Sequence, residues 1–120
     1  MNLFIVEDSP KMRKALKEMF NPYFENIYEC DNGLTAVAEY ELKKPDWVFM
    51  DIKMEKMDGI TATREITKQF PDARVIIVTG YDDDDFRKEA ELNGAIGYVL
   101  KENLYEILNI LFSKNKLTTQ

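Results

Sequence analysis

The chain has 120 residues, the size of one domain, and its 45% hydrophobic and 12% aromatic content allows one substantial core and argues against disorder. Lys and Arg number 16 against 22 Asp and Glu, giving a net charge of −6, so no direct contact with nucleic acid is expected. There is no histidine, which excludes Ser-His-Asp and Cys-His catalysis, histidine metal sites and phosphohistidine, and leaves chemistry to carboxylates, lysines, hydroxyls or a cofactor.

Leu3–Val6 is an apolar run of strand length that ends in Glu7-Asp8. Ser9-Pro10 reads as an N-cap followed by proline at the first helical position, and Met12, Ala15, Leu16, Met19 and Phe20 follow at helical spacing. Ile27–Cys30 is a more polar strand, as an edge strand is. Asp31-Asn32-Gly33 is a turn, and Leu34, Val37, Ala38 and Leu42 make the apolar stripe of the next helix. Trp47–Met50 is the third strand and runs into Asp51. A third helix follows Asp58-Gly59, carries Ala62, Ile66 and Phe70, and stops at Pro71-Asp72. Val75–Val78 runs into Thr79. The run Asp82–Asp85 lacks the spacing of a calcium loop and suits a loop and a helix N-terminus, where the dipole favours acid. Phe86 and Ala90 belong to that fourth helix, which ends at Asn93-Gly94. Ile96–Leu100 runs into Lys101, and Leu104, Ile107, Leu108, Leu111 and Phe112 form the apolar face of a fifth helix.

The expected organisation is one domain over residues 1–112, with 113–120 a polar tail or linker remnant. One cysteine, Cys30, allows no internal disulfide, and Met1–Asp8 has neither a basic region nor a long apolar run. No membrane span is expected, and a cytoplasmic location suits these features.

Short apolar runs alternating with amphipathic ones imply an α/β fold, a parallel sheet with helices on both faces. In such a sheet all C-terminal strand ends lie on one edge, where open α/β sheets bind ligands. Glu7, Asp8, Asp51, Thr79 and Lys101 therefore converge. Three carboxylates close together need protonation or a cation, and an all-oxygen set suits Mg²⁺. A carboxylate beside Mg²⁺ can attack phosphorus, while a hydroxyl and an ammonium neutralise the equatorial oxygens. The parts fit phosphoryl transfer to a carboxylate.

These stretches resemble the receiver domain of two-component response regulators. The resemblance rests on Leu3–Ser9, Trp47–Met54, Met57-Asp58-Gly59, Val75–Gly80 and Gly94–Lys101, in that order and spacing. Residues 57–108 most resemble receivers that precede a LuxR-type helix-turn-helix domain. The resemblance implies a flavodoxin-like (βα)5 three-layer sandwich with strand order 2-1-3-4-5. It implies that Asp51 is the phospho-acceptor, and that Glu7, Asp8, Asp51 and the backbone carbonyl of Lys53 hold Mg²⁺. Thr79 matches the switch hydroxyl, Tyr98 the aromatic that reports the switch, and Lys101 the lysine that pairs with the phosphoryl oxygens. Lys53 and Tyr81 match variable positions flanking the phosphoryl group. The implied donor is a phosphohistidine on a sensor histidine kinase or a histidine phosphotransfer protein. The implied output is a downstream protein or an output domain, read through the surface of the fourth helix, fifth strand and fifth helix. A monomer or a weak phosphorylation-dependent dimer is expected, and a signalling role rather than an enzymatic one.

Two positions depart from the family pattern: Glu55 and Glu102 stand where proline is frequent. Two other readings share the residues. One is a receiver fold that works as an interaction module without phosphorylation. The other is an Asp-nucleophile phosphatase of the haloacid-dehalogenase type, which looks for a second Asp where this chain has Lys53.

Overall fold

A computed structural model describes the backbone of residues 1–118 and the side chains through Ser113. Five strands and five α-helices alternate along it. They are β1 (Asn2–Val6), α1 (Pro10–Phe20), β2 (Asn26–Cys30), α2 (Gly33–Lys43), β3 (Trp47–Met50), α3 (Gly59–Gln69), β4 (Val75–Thr79), α4 (Asp84–Leu92), β5 (Gly97–Leu100) and α5 (Tyr105–Thr118). The strands pair in parallel in the order β2-β1-β3-β4-β5. This is the flavodoxin-like arrangement, and the edge position of β2 explains its polar sequence.

The helices begin where short polar side chains cap them. Ser9 accepts from the Met12 N–H, Asn32 from Thr35, Asp58 from Thr61 and Asp83 from Phe86. Asp84 and Asp85 fill the first turn of α4, so the acidic run caps a helix as its sequence suggests. Gly94 follows α4 with φ +104°, a conformation L side chains rarely adopt.

Two cores flank the sheet. On one face Phe4, Val6, Val48, Met50, Val75 and Ile77 meet α2, α3 and α4 through Ala36, Tyr40, Ala62, Ile66 and Ala90. On the other, Leu3, Ile5, Trp47, Phe49, Ile76, Val78 and Val99 meet α1 and α5 through Leu16, Phe20, Ile107 and Leu111. Central strands buried on both faces need the near-continuous apolar runs the sequence contains.

Three expectations are corrected. The buried face of α2 is Gly33, Ala36 and Tyr40, while Leu34 and Leu42 are 52% and 80% exposed and Ala38 is exposed. The phase is set at the first residue. The Gly33 N–H donates to the Met57 carbonyl at 3.2 Å, and a Cβ there would lie 2.5 Å from that oxygen. The helix thus docks by a side chain it lacks, which an apolar stripe cannot reveal. Ala15 of α1 also faces solvent, beside buried Leu16. Finally, β5 starts at Gly97, leaving Ile96 half exposed. In the C-terminal stretch expected as a tail, α5 runs to Thr118, and residues 119 and 120 lie outside the described residues.

The α2 phase is directly testable. Tyr40→Ala is expected to cost about 3 kcal/mol, and Leu42→Lys less than about 0.5 kcal/mol, by urea unfolding. The reverse ranking would place the leucine stripe inward.

Candidate functional site

The C-terminal ends of β1, β3, β4 and β5 each deliver one part of the site. Val6 pairs with Met50 across β1 and β3, so the residues that follow emerge side by side. The Glu7 N–H donates to the Cys30 carbonyl at 3.1 Å, extending the ladder with β2 by one residue. The Glu7 side chain is therefore turned inward and is only 2% exposed. Its Oε2 accepts from the Ser9 N–H at 3.0 Å, and Arg13 Nη1 donates to its carbonyl at 2.7 Å. Asp8, next in sequence, is exposed.

Asp51 is equally constrained. Its N–H donates to the Val6 carbonyl at 2.9 Å, and its Oδ1 accepts from the Ile52 N–H at 2.8 Å. Its side chain is buried. Lys101 reaches across from the end of β5, its Nζ 2.8 Å from Glu7 Oε1 and 3.3 Å from Asp51 Oδ2. Oxygens of Glu7, Asp8 and Asp51 lie within 4.8 Å of one another. Thr79 is fully buried at the end of β4, its hydroxyl accepting from the Tyr81 N–H at 3.3 Å.

Burial dominates the electrostatics. It pushes the Glu7 carboxyl from 4.5 up to about 7, against the Lys101 ammonium and the Ser9 N–H, with Asp51 adding to the rise. Burial also raises Asp51, against Lys101 and the Ile52 N–H. Burial works against the charge on Lys101, but its bond to Glu7 and the Asp51 charge outweigh that and hold its pKa above the usual 10.5. Acidic groups that resist ionising in a cluster this tight could hold a cation.

The other expected residues lie beside this cluster. The half-buried Tyr98 donates from its hydroxyl to the Tyr81 carbonyl at 2.6 Å, so it connects to Thr79 through the Tyr81 backbone. The exposed Lys53 holds its ammonium over the rings of Tyr81 and Phe86, at 5.5 and 5.3 Å. Glu55 lines a cleft of about 310 Å³ with Asp8, Asp31, Asn32 and Lys56. No cis peptide bond occurs among the described residues, so Lys101–Glu102 is trans.

Sequence reasoning missed two supporting residues, Arg13 and Arg87, and read Gly59 only as a helix start and part of a family motif. Arg13 braces the Glu7 carbonyl and pairs with Glu29 at 3.0 Å; its place one turn after the Ser9 cap was the available signal. Arg87 stacks on Tyr98 at 4.4 Å and donates to its carbonyl. Gly59 lets the chain after Asp51 close on itself through its N–H to the Ile52 carbonyl, 2.8 Å.

Fold and site together define a doubly wound α/β domain with a carboxylate, lysine and hydroxyl centre at its strand ends. A family model for the response regulator receiver domain matches residues 3–111, and the chain belongs to that family. It is similar to the transcriptional regulatory protein DegU of Brevibacillus brevis, 33% identical over 104 residues, 85% of this chain and 44% of DegU. It is also similar to chemotaxis protein CheY of Halobacterium salinarum, 39% identical over 99 residues, 82% of each chain. A DNA-binding response regulator of the LuxR family from Staphylococcus aureus superposes with a TM-score of 0.81 at 34% identity, over 90% of this chain and 95% of that one. A chain of the CheX–CheY–BeF3–Mg2+ complex from Borrelia burgdorferi gives 0.81 at 26% identity, over 93% and 89%. The chain spans about half the length of the transcriptional regulators DegU and YhcZ that it matches. Among the described residues no helix is long and apolar enough to cross a membrane.

Proposed function

We propose that the chain accepts a phosphoryl group on Asp51 from a phosphohistidine donor and uses it to switch the surface of α4, β5 and α5. The observation that carries this reading is the buried Asp51 carboxylate, fixed by the Ile52 N–H and by Lys101, with Glu7 and Asp8 against it. The donor set is all oxygen, in a chain without histidine, and it fits a hard divalent cation. Glu7, Asp8, Asp51 and the backbone carbonyl of Lys53 would hold Mg²⁺, whose charge offsets that of the phosphoryl oxygens during transfer. The Borrelia relative crystallised with BeF3 and Mg2+ supports the same reading.

Each protein group has one task. Asp51 is the nucleophile, and the Ile52 N–H holds its Oδ1 so that Oδ2, which faces Lys101, is the oxygen that attacks. Lys101 neutralises Asp51 before transfer and a phosphoryl oxygen after it. The Thr79 hydroxyl, now on the Tyr81 N–H, is the donor for another phosphoryl oxygen. Its movement is felt by Tyr98, because both are tied to Tyr81. The acyl phosphate brings about −1.5 to −2 charges to the site, which biases a two-state surface.

The domain is assigned to residues 1–112, in a cytoplasmic signalling pathway, as a monomer or a weak phosphorylation-dependent dimer. Its partners are a sensor histidine kinase or histidine phosphotransfer protein, and an output protein or output domain. Receivers are signalling modules rather than enzymes of steady turnover, and Lys53 stands where a phosphatase of the haloacid-dehalogenase type has its Asp general acid. The ion triad that Lys101 completes without a phosphoryl group supports a second reading, an interaction module that works unphosphorylated.

Incubation with acetyl phosphate and Mg²⁺ separates the two. One phosphoryl adduct by intact mass is expected in the wild type and none in Asp51→Asn. Partner binding that is identical in Asp51→Asn and in the phosphorylated wild type would select the interaction module.

A further inference from the structure

We propose that the Lys53 ammonium is a tether between the loop that follows Asp51 and the start of α4, positioned by the Tyr81 and Phe86 rings and released when Asp51 carries a phosphoryl group. The release rests on the phospho-acceptor reading above; the tether does not.

The observations are these. Lys53 Nζ lies 5.5 Å from the Tyr81 ring centre and 5.3 Å from that of Phe86. The two rings pack edge to face, 5.9 Å apart at 84°, so the ammonium meets both in one pocket. The run Asp82–Asp85 lies between these aromatics, yet Lys53 makes no ion pair among the described residues. The ammonium rests on the two rings, and cation–π attraction supplies the reason.

Each ring leads to a different element. Phe86 belongs to α4, and its N–H donates to the helix cap, Asp83 Oδ1, at 2.9 Å. Its partly buried side chain packs against the core on the α2, α3 and α4 side of the sheet. Tyr81 is tied by its N–H to Thr79 and by its carbonyl to the Tyr98 hydroxyl. Lys53 therefore joins the acceptor loop to the turn whose backbone is bonded to both switch residues, Thr79 and Tyr98, by a route separate from Thr79 itself. A phosphoryl group two residues away offers the ammonium a charge-assisted hydrogen bond, which is stronger than an exposed cation–π contact. Moving to it would free the rings and loosen the first turn of α4.

Hydrogen exchange on the full chain tests this, with the phosphorylation state read by intact mass. In the unphosphorylated protein, Lys53→Ala is expected to raise amide exchange in residues 81–88 about two- to fivefold, the size of a surface cation–π contact. Lys53→Arg keeps the charge and the ring contact, and is expected to stay at the wild-type rate. Phe86→Leu is expected to match Lys53→Ala, and the double variant to exceed neither. Phosphorylation of the wild type is expected to raise exchange in the same residues, and to raise it by a smaller factor in Lys53→Ala, where only the Thr79 route remains. Unchanged exchange in Lys53→Ala, equal increases for Ala and Arg, or additivity with Phe86→Leu would overturn the tether. A wild type that gains no phosphoryl adduct would overturn the release and the proposed function, while the unphosphorylated arm still decides the tether.

Discussion

Without a divalent cation, the protein is expected to be less stable at about pH 7 than at about pH 5, against the common trend. The sign follows from Glu7, whose carboxyl is raised from 4.5 to about 7 in the fold. Between those values the native state binds more protons than the unfolded chain, so stability falls as pH rises. Its contribution is complete below about 4.5 and gone above about 7. At about 1.4 kcal/mol per unit this amounts to roughly 3 kcal/mol. Asp51 is raised as well and acts in the same direction. Glu29 is lowered, chiefly by its bond to Lys17, so its stability is lost only as pH falls below the ordinary range. Lys101 is raised, and its contribution is lost only in strong alkali. Mg²⁺ binds the ionised carboxylates, and at a hundredfold excess over its Kd it adds about 2.7 kcal/mol at neutral pH. Urea unfolding with EDTA or Mg²⁺ measures both effects. Glu7→Gln is expected to reduce the slope to the part that Asp51 contributes; an undiminished slope would place its origin elsewhere.

Gly59→Ala is expected to be the most damaging single methyl in the chain. A Cβ at residue 59 would stand 1.7 Å from the Asp51 carbonyl oxygen and 2.9 Å from Met50 Cγ. The Asp51 backbone has nowhere to go, because its N–H is bonded to Val6 in the neighbouring strand. The Gly59 N–H must instead give up the Ile52 carbonyl, opening the loop that aims the acceptor. A loss of at least about 3 kcal/mol is expected. Because a shift of about 1 Å at a reacting group costs on the order of 10²-fold in rate, phosphoryl acceptance should fall by that much in the folded fraction. Gly80→Ala is the control, since nothing lies within 4 Å of a Cβ there. A change of less than about 0.5 kcal/mol is expected for it. Equal effects at the two glycines would contradict the close-approach explanation.

The strand ends were legible in the sequence for a geometric reason. A parallel sheet brings every C-terminal end to one edge, so Glu7, Asp51, Thr79 and Lys101 could be grouped without knowing any distance. Their burial followed from the apolar runs before them. What was hidden was whatever depends on a contact between distant segments. The leucines of α2 point outward because Gly33 docks on the Met57 carbonyl, and no hydrophobic pattern records a missing side chain. The seats of Lys53 on Tyr81 and Phe86, and of Arg87 on Tyr98, are also invisible to periodicity. Long cationic side chains select partners across loops. Lys101 was placed at the site by its strand, but its sharing between Glu7 and Asp51 needed the coordinates.

The acceptor itself is reached most directly by trapping the acyl phosphate. Borohydride reduces an aspartyl phosphate to homoserine, which marks the residue that carried the group. After acetyl phosphate treatment, peptide mapping should find homoserine at position 51, dependent on Mg²⁺ and abolished by EDTA. Homoserine at another aspartate, or none at residue 51 while the intact protein gains a phosphoryl group, would contradict Asp51 as the acceptor.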